Sequence, residues 1–190
     1  MLKRMIDACL LKASVYEEVE HDTNATLQAV LVVIVVSIAV VLGSYMLVGG
    51  NIIVVVVMGI IVGFAHWAVI AFVTYIVGTK IFPTENTHAN WGQMARAIAF
   101  AQTPGLFLVF CFLPGIFLPE IVNTIGMIVF IWRLSTTIVA VRQVLDYDHL
   151  MRKVIFLRIS TWRALAVVIL SYLIVIVPML VIFNIAGMSP

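Results

Sequence analysis

The sequence predicts an all-α membrane protein, a bundle of five transmembrane helices with amphipathic helices at the amino terminus and in one cytoplasmic loop. Three observations predict it. Of 190 residues, 64% are hydrophobic and only 11% are charged, and the mean hydropathy of +1.19 lies far outside the range of a water-soluble domain. Five apolar runs reach the roughly 20 residues that a helix needs to cross about 30 Å of hydrocarbon. The basic residues gather at alternate ends of these runs, as retention of positive loops on the cytoplasmic side requires. No repeat or low-complexity linker interrupts the chain, so it divides into a cytoplasmic segment, residues 1–26, and one membrane domain, residues 27–190.

In the first segment Leu2, Met5, Ile6, Cys9, Ala13, Tyr16 and Val19 recur at helical spacing, while Lys3, Arg4 and Lys12 are placed to meet anionic headgroups. Docking of this helix on the bundle is the alternative. The segment is polar and partly acidic and the apolar run behind it is long enough to stay in the bilayer, so an uncleaved anchor is expected rather than a cleaved signal.

The first span, Leu27 to Val48, is entered through Asp22, Thr23 and Asn24, all good N-cap types, and closed by Gly49, Gly50 and Asn51. The second, Ile52 to Gly78, has 27 residues, more than the core needs, and is expected to tilt or protrude. The third runs from about Ala95 to Leu113, the fourth from Ile121 to about Val144, and the fifth from Ala164 to Ala186. After the fourth, Asp148 can cap a short helix with Leu150, Met151, Val154, Ile155 and Ile159 toward lipid and Arg152, Lys153 and Arg158 toward headgroups.

Orientation follows from charge. Lys3, Arg4 and Lys12 precede the first span, Lys80 and Arg96 flank the second loop, and Arg142, Arg152, Lys153, Arg158 and Arg163 flank the fourth. The first loop, the third loop (Pro114 to Glu120) and the tail (Gly187 to Pro190) hold none. The amino terminus is therefore expected inside and the carboxyl terminus outside.

The chemistry of the chain argues against an enzyme. No nucleophile with a base, metal cluster, phosphate loop or pair of acids stands at recognisable spacing. Cys9 and Cys111 lack further ligands nearby and read as free thiols. The acidic patch Glu17, Glu18, Glu20 and Asp22 reads as a solvated face or partner contact. A net charge of +2 gives no case for nucleic acid, and the absence of carboxylates within the spans gives none for a proton relay.

Three features remain inside the membrane. Arg133 lies nine residues before Arg142, roughly 13 Å from that end of its helix. His66, Gln102, Ser171 and Tyr172 reach comparable depths from the cytoplasmic ends of their own spans, so a buried polar layer can receive the guanidinium. That structural layer is the favoured reading; an anion or headgroup site is the alternative. His66, beside Trp67, reads first as a cross-bundle hydrogen-bonding group, and the other reading is an axial ligand of a porphyrin-type pigment or haem. Pro104, in "FAQTPGL", removes an amide and releases the Phe100 carbonyl, so a kink is expected there, with Gln102 and Thr103 available to the freed backbone groups.

Four blocks carry a resemblance: "YEEVEHDTNATLQA" before the first span, "WAVIAFVTYIVGTKIF" at the end of the second, "WGQMARAIAFAQTPGL" entering the third and "IWRLSTTIVAVRQVLDYD" closing the fourth. In these the chain resembles the Yip1 domain family, in its bacterial form. The resemblance implies five spans, a cytoplasmic amino terminus and a bacterial inner membrane, and it brings no catalytic residue. The "DLYGP"-like segment of eukaryotic members is absent from residues 1–26, which argues against Rab GTPase binding. The function expected is non-enzymatic: a scaffold or accessory subunit of a larger membrane complex, an energy-converting one among the settings, or a protein of membrane organisation. Its partners are lipids and other integral membrane proteins, and it needs no cofactor. A small transporter or a lipid- or anion-binding protein with its site near Arg133 is the alternative.

Overall fold

The computed structural model describes residues 1–84, 87, 89–111, 119–145 and 157–185, and all regular structure among them is helical. A helix satisfies its backbone within one segment, which hydrocarbon surroundings demand. The α-helices are α1 (Leu2–Cys9), α2 (Ala13–His21), α3 (Ala25–Val48), α4 (Ile52–Ile76), α5 (Trp91–Ala101), α6 (Pro119–Val144) and α7 (Leu157–Ile185). A π-helical turn, Val77–Ile81, prolongs α4, and a 3-10 segment, Thr103–Cys111, follows α5. Five helical stretches are long and apolar enough to cross a membrane: Ala25–Tyr45, Ile52–Ile81, Trp91–Cys111, Val122–Val144 and Thr161–Pro178.

Several boundaries differ from the sequence reading, each for a local reason. The amino-terminal segment is two helices rather than one. Leu11 adopts a left-handed φ of 59°, which ends α1 and turns the chain back. The Tyr16 hydroxyl then donates to the Ala8 carbonyl at 3.3 Å, and Arg4 on α1 pairs with Glu18 at 2.8 Å and Asp22 at 2.7 Å. Of the residues counted on a single face, Met5, Tyr16 and Val19 are buried, while Leu2 and Ile6 remain exposed. α5 starts at Trp91, before the expected Ala95, because Asn90 and Gln93 form a capping box: the Gln93 N–H donates to Asn90 Oδ1 at 3.0 Å, and the Asn90 N–H donates to Gln93 Oε1 at 2.7 Å. α7 starts at Leu157, so Arg158 and Ile159 belong to this helix, ahead of the span that begins at Thr161. The rest of the expected loop helix, residues 148–156, lies outside the described residues, as do the expected third loop, residues 114–118, and the tail from Ala186.

α5 is the hub. Over an apolar 18-residue stretch of its span 72% of residues are buried, against 6% over such a stretch of the α4 span, and Met94 through Ala101 are all buried. The run of small residues in "MARAIAFA" lets α2, α3, α4 and α6 approach it together. α7 packs on α6 and α4, and the 3-10 segment packs on α3 and α6. α3 and α4 meet through Gly59 and Gly63, four residues apart on one face of α4. A Cβ at Gly59 would stand 2.0 Å from Val41 Cγ2, and one at Gly63 would stand 2.1 Å from Ser37 Oγ. This is the small-residue approach that joins membrane helices when lipid is as apolar as the helices themselves. Met5, Ala8, Val15, Tyr16 and Val19 of the amino-terminal helices share one core with the spans.

Candidate functional site

The site grows from the interruption after α5. Pro104 has no N–H to give Phe100, and its ring excludes an ideal turn. The chain answers by changing helix type: α5 ends at Ala101 and continues as 3-10 helix. The freed Phe100 carbonyl accepts from the Thr103 hydroxyl at 2.6 Å. The Ala101 carbonyl accepts from the Thr136 hydroxyl on α6, also at 2.6 Å. This tie fixes α6 against the break one turn from Arg133.

Arg133 projects from α6 toward the same break. A Cβ at Gly105 would lie 2.9 Å from Val36 Cγ1 and 3.6 Å from Arg133 Cδ, so the glycine leaves the space that the arginine stem fills. Arg133 Nη2 donates to Gln102 Oε1 at 3.4 Å, a long contact with a neutral acceptor. Electrostatic interaction also couples Arg133 to His66 on α4 and to Tyr172 on α7, both half-buried. Among the described residues no carboxylate pairs with it.

The structure thus joins Arg133 to Gln102 by a hydrogen bond and sets it within electrostatic reach of His66 and Tyr172. Ser171 is buried, and its hydroxyl donates at 2.7 Å to the Val167 carbonyl of its own helix. Trp67, next to His66, turns to α5, where its indole N–H donates to the Ala95 carbonyl at 2.9 Å, and Phe64 packs edge-on against it with ring centroids 4.9 Å apart.

Three residues of this region carried no distinct signal in the sequence. Thr136 joins α6 to α5 as described, and the "STT" that follows Arg133 was the available hint. Trp132 donates from its indole to the Cys9 carbonyl at 2.8 Å, anchoring the end of α1 beside the polar layer. Arg96, expected at the membrane boundary, is buried. Its Nε donates to the Val19 carbonyl at 2.8 Å and its Nη2 to the Glu20 carbonyl. These carbonyls belong to the last turn of α2, where intrahelical donors run out and the helix dipole favours a cation. Once the capping box fixes the start of α5, Arg96 falls on its second turn, facing α2.

At the membrane boundary, Arg4 commits its donors to Glu18, Asp22 and Gln28, the last at 3.2 Å. The acidic patch is therefore engaged in part within the chain. The hydrogen bond from Arg4 holds the Asp22 carboxyl below its ordinary pKa, and hydrogen bonds to Glu18 and then Asp22 raise that of Arg4. Burial pushes the Cys9 thiol up to about 11.

Chemically, the gathered groups offer a fixed cation with amide, imidazole and phenol neighbours, a set suited to holding an anion or a polar group and lacking a placed nucleophile. Comparison with protein-family models, curated proteins and solved structures returns no match.

Proposed function

We propose that the chain is a non-enzymatic, Yip1-type membrane protein that works through its lateral surface, as a scaffold or accessory subunit of a larger membrane complex or in membrane organisation. The observation that carries this reading is the outer face of α4. Over its first 18 residues, Ile52 to Val69, only Trp67 is buried, and Ile53, Val57, Ile61, Val62 and Val69 all stand exposed, whereas Ile70, Ala71 and Thr74 beyond them are buried. The first two-thirds of the helix thus presents an apolar outer face to neighbours, while its last turns pack into the bundle. α6 and α7 add Met127, Phe130, Leu173 and Val177 to the exposed apolar surface. The hypothesis places the chain in a bacterial inner membrane with its amino terminus inside, and the surface helices α1 and α2 at the cytoplasmic boundary. Integral membrane proteins and lipids are its partners under this reading, and Rab GTPases are not. Purification in mild detergent followed by mass spectrometry tests it. Integral membrane proteins co-purifying in fixed stoichiometry are the expected result, and a solitary chain that retains only lipid or an anion would overturn it.

A second reading, a transporter or anion-binding protein, is favoured by one observation, the guanidinium of Arg133 facing, among the described residues, a single neutral hydrogen-bond acceptor. Under this reading the wild-type chain binds a small anion in detergent and Arg133→Gln loses that binding while folding normally. Equal binding by both chains would remove the case for the site. The porphyrin alternative at His66 predicts a visible absorption band lost in His66→Ala.

A further inference from the structure

A groove of about 690 Å³ runs between α1, α3 and the 3-10 segment. Its volume falls in the range of sites that enclose a small ligand, about 300–1,000 Å³. Leu2, Ile6 and Leu10 form one wall, Ile38 and Leu42 the facing one, with Phe110 at the end. Apart from Cys9 and Thr103 every side chain that lines it is aliphatic, aromatic or methionine. We propose that this groove seats one acyl chain of an anionic phospholipid, drawn from the leaflet on the side of α1 and α2, with the phosphate at Lys3.

The placement of the groove selects hydrocarbon as its occupant. α1 is tied to the first turn of α3 by Arg4 and Gln28, and its far end meets Trp132 through the Cys9 carbonyl. The groove therefore runs inward from the end of α1 tied to α3, reaching the level of Trp132 beside Arg133. Its α3 wall, Val35 to Leu42, covers about 10 Å of the axis within the span Ala25–Tyr45. Water does not serve an apolar cavity at that depth; a lipid tail entering along the bilayer normal does.

The character of the walls argues against a partner helix. Where this chain packs membrane helices closely it uses small residues, Gly59 and Gly63 against Ser37 and Val41, because backbones must approach. The groove has no glycine or serine in its walls, which are mostly leucine, isoleucine, valine and aromatic residues beside Cys9, Ala39 and Thr103. Bulky, flexible side chains of this kind fit around a slender methylene chain.

Charge completes the case. Arg4 is fully engaged with Glu18, Asp22 and Gln28, so it adds no free positive charge at the entrance. Lys3, beside Leu2 on the same exposed turn, forms no ion pair with a described residue. A lysine near a membrane surface attracts anionic lipid.

The test uses the full chain in nanodiscs of phosphatidylcholine, titrated with phosphatidylglycerol or phosphatidylcholine brominated along the acyl chain. The readout is quenching of the Trp132 contribution, taken as the difference between wild type and Trp132→Phe, since Trp132 lines the groove. Brominated phosphatidylglycerol is expected to reach half-quenching at about a fivefold lower mole fraction than the phosphatidylcholine analogue, the preference that one lysine near the surface supplies. Lys3→Gln, at an exposed position, should keep the melting temperature and lose the preference. Equal quenching by the two lipids in the wild type would mean ordinary boundary lipid and overturn the proposal. Absence of quenching by either would mean that the groove is closed, by a second copy or another protein, and would overturn it as well.

Discussion

A guanidinium near the middle of a membrane helix costs about 2.5 to 3.5 kcal/mol on insertion scales, and the described acceptor that Arg133 meets is a neutral amide at 3.4 Å. Replacing it with leucine strands the Gln102 carbonyl, at about 1–3 kcal/mol for a buried acceptor left unsatisfied. The first figure is the larger, so Arg133→Leu should give at least the wild-type yield of folded protein by size-exclusion in detergent; a several-fold loss would show that the arginine holds the bundle together. Thr136→Val should lower stability in bicelles by about 0.6 to 1.7 kcal/mol, the range for membrane hydrogen bonds, since it severs the tie to Ala101. The Arg4 clamp has a pH signature. Arg4 holds the Asp22 carboxyl below its ordinary pKa, so its contribution is complete above the usual carboxylate range and disappears as pH falls through the lowered value. The protection of α1 amides, as exchange rates corrected for their intrinsic pH dependence, should be steady from neutral pH to about 5 and fall only below the ordinary carboxylate range; loss of protection already near pH 6 would contradict this. The depths of Arg133, Gln102, His66 and Tyr172 were legible from the span ends, because helical rise is constant. What depth does not give is the partner: the Ser171 hydroxyl bonds the Val167 carbonyl one turn back on its own helix, a local bond open to any helical serine.

Within the elements, the decisive features are single residues that change backbone direction or permit close contact. Pro104 was legible as an interruption, and the Thr103 hydroxyl accepts the role suggested by its position beside the freed Phe100 carbonyl. Leu11 was not legible. A leucine in the left-handed region has no local preference for it, and its φ of 59° is maintained by the contacts that α1 and α2 make after the turn. Gly59 and Gly63 also escaped notice within an unbroken apolar run, since hydropathy registers them as neutral while packing depends on their missing side chains. Gly63→Leu should therefore reduce folded yield sharply, the overpacking cost being typically 1–3 kcal/mol or more. Gly126→Leu on α6 should be tolerated, because nothing lies within 4 Å of a Cβ there. Thermal aggregation of the two variants in one detergent compares them directly, and equal melting temperatures would show that α3 and α4 do not rely on the glycine contact.

For the whole molecule, the distribution of Lys and Arg leads to a concrete expectation under the proposed orientation: reporter fusions at residue 1 should read as cytoplasmic and at residue 190 as external. Both ends on one side would overturn the five-span topology. The sequence by itself determined that the chain is helical and has five stretches able to cross a membrane, because bilayer thickness sets a run length that composition must meet. It also located the ends of the first, second and fourth stretches to within about three residues, and missed the end of the fifth, expected at Ala186, by eight residues. Only the tertiary structure decided that α5 is the hub and α4 the outlying helix. It also turned Arg96 toward the carbonyls of α2, and it placed α1 against α3 with an apolar groove between them. Hydropathy records how apolar a residue is, and inside a membrane both lipid-facing and buried positions are apolar. Which face meets protein therefore depends on shape and on a few hydrogen bonds, and those exist only once the helices have packed.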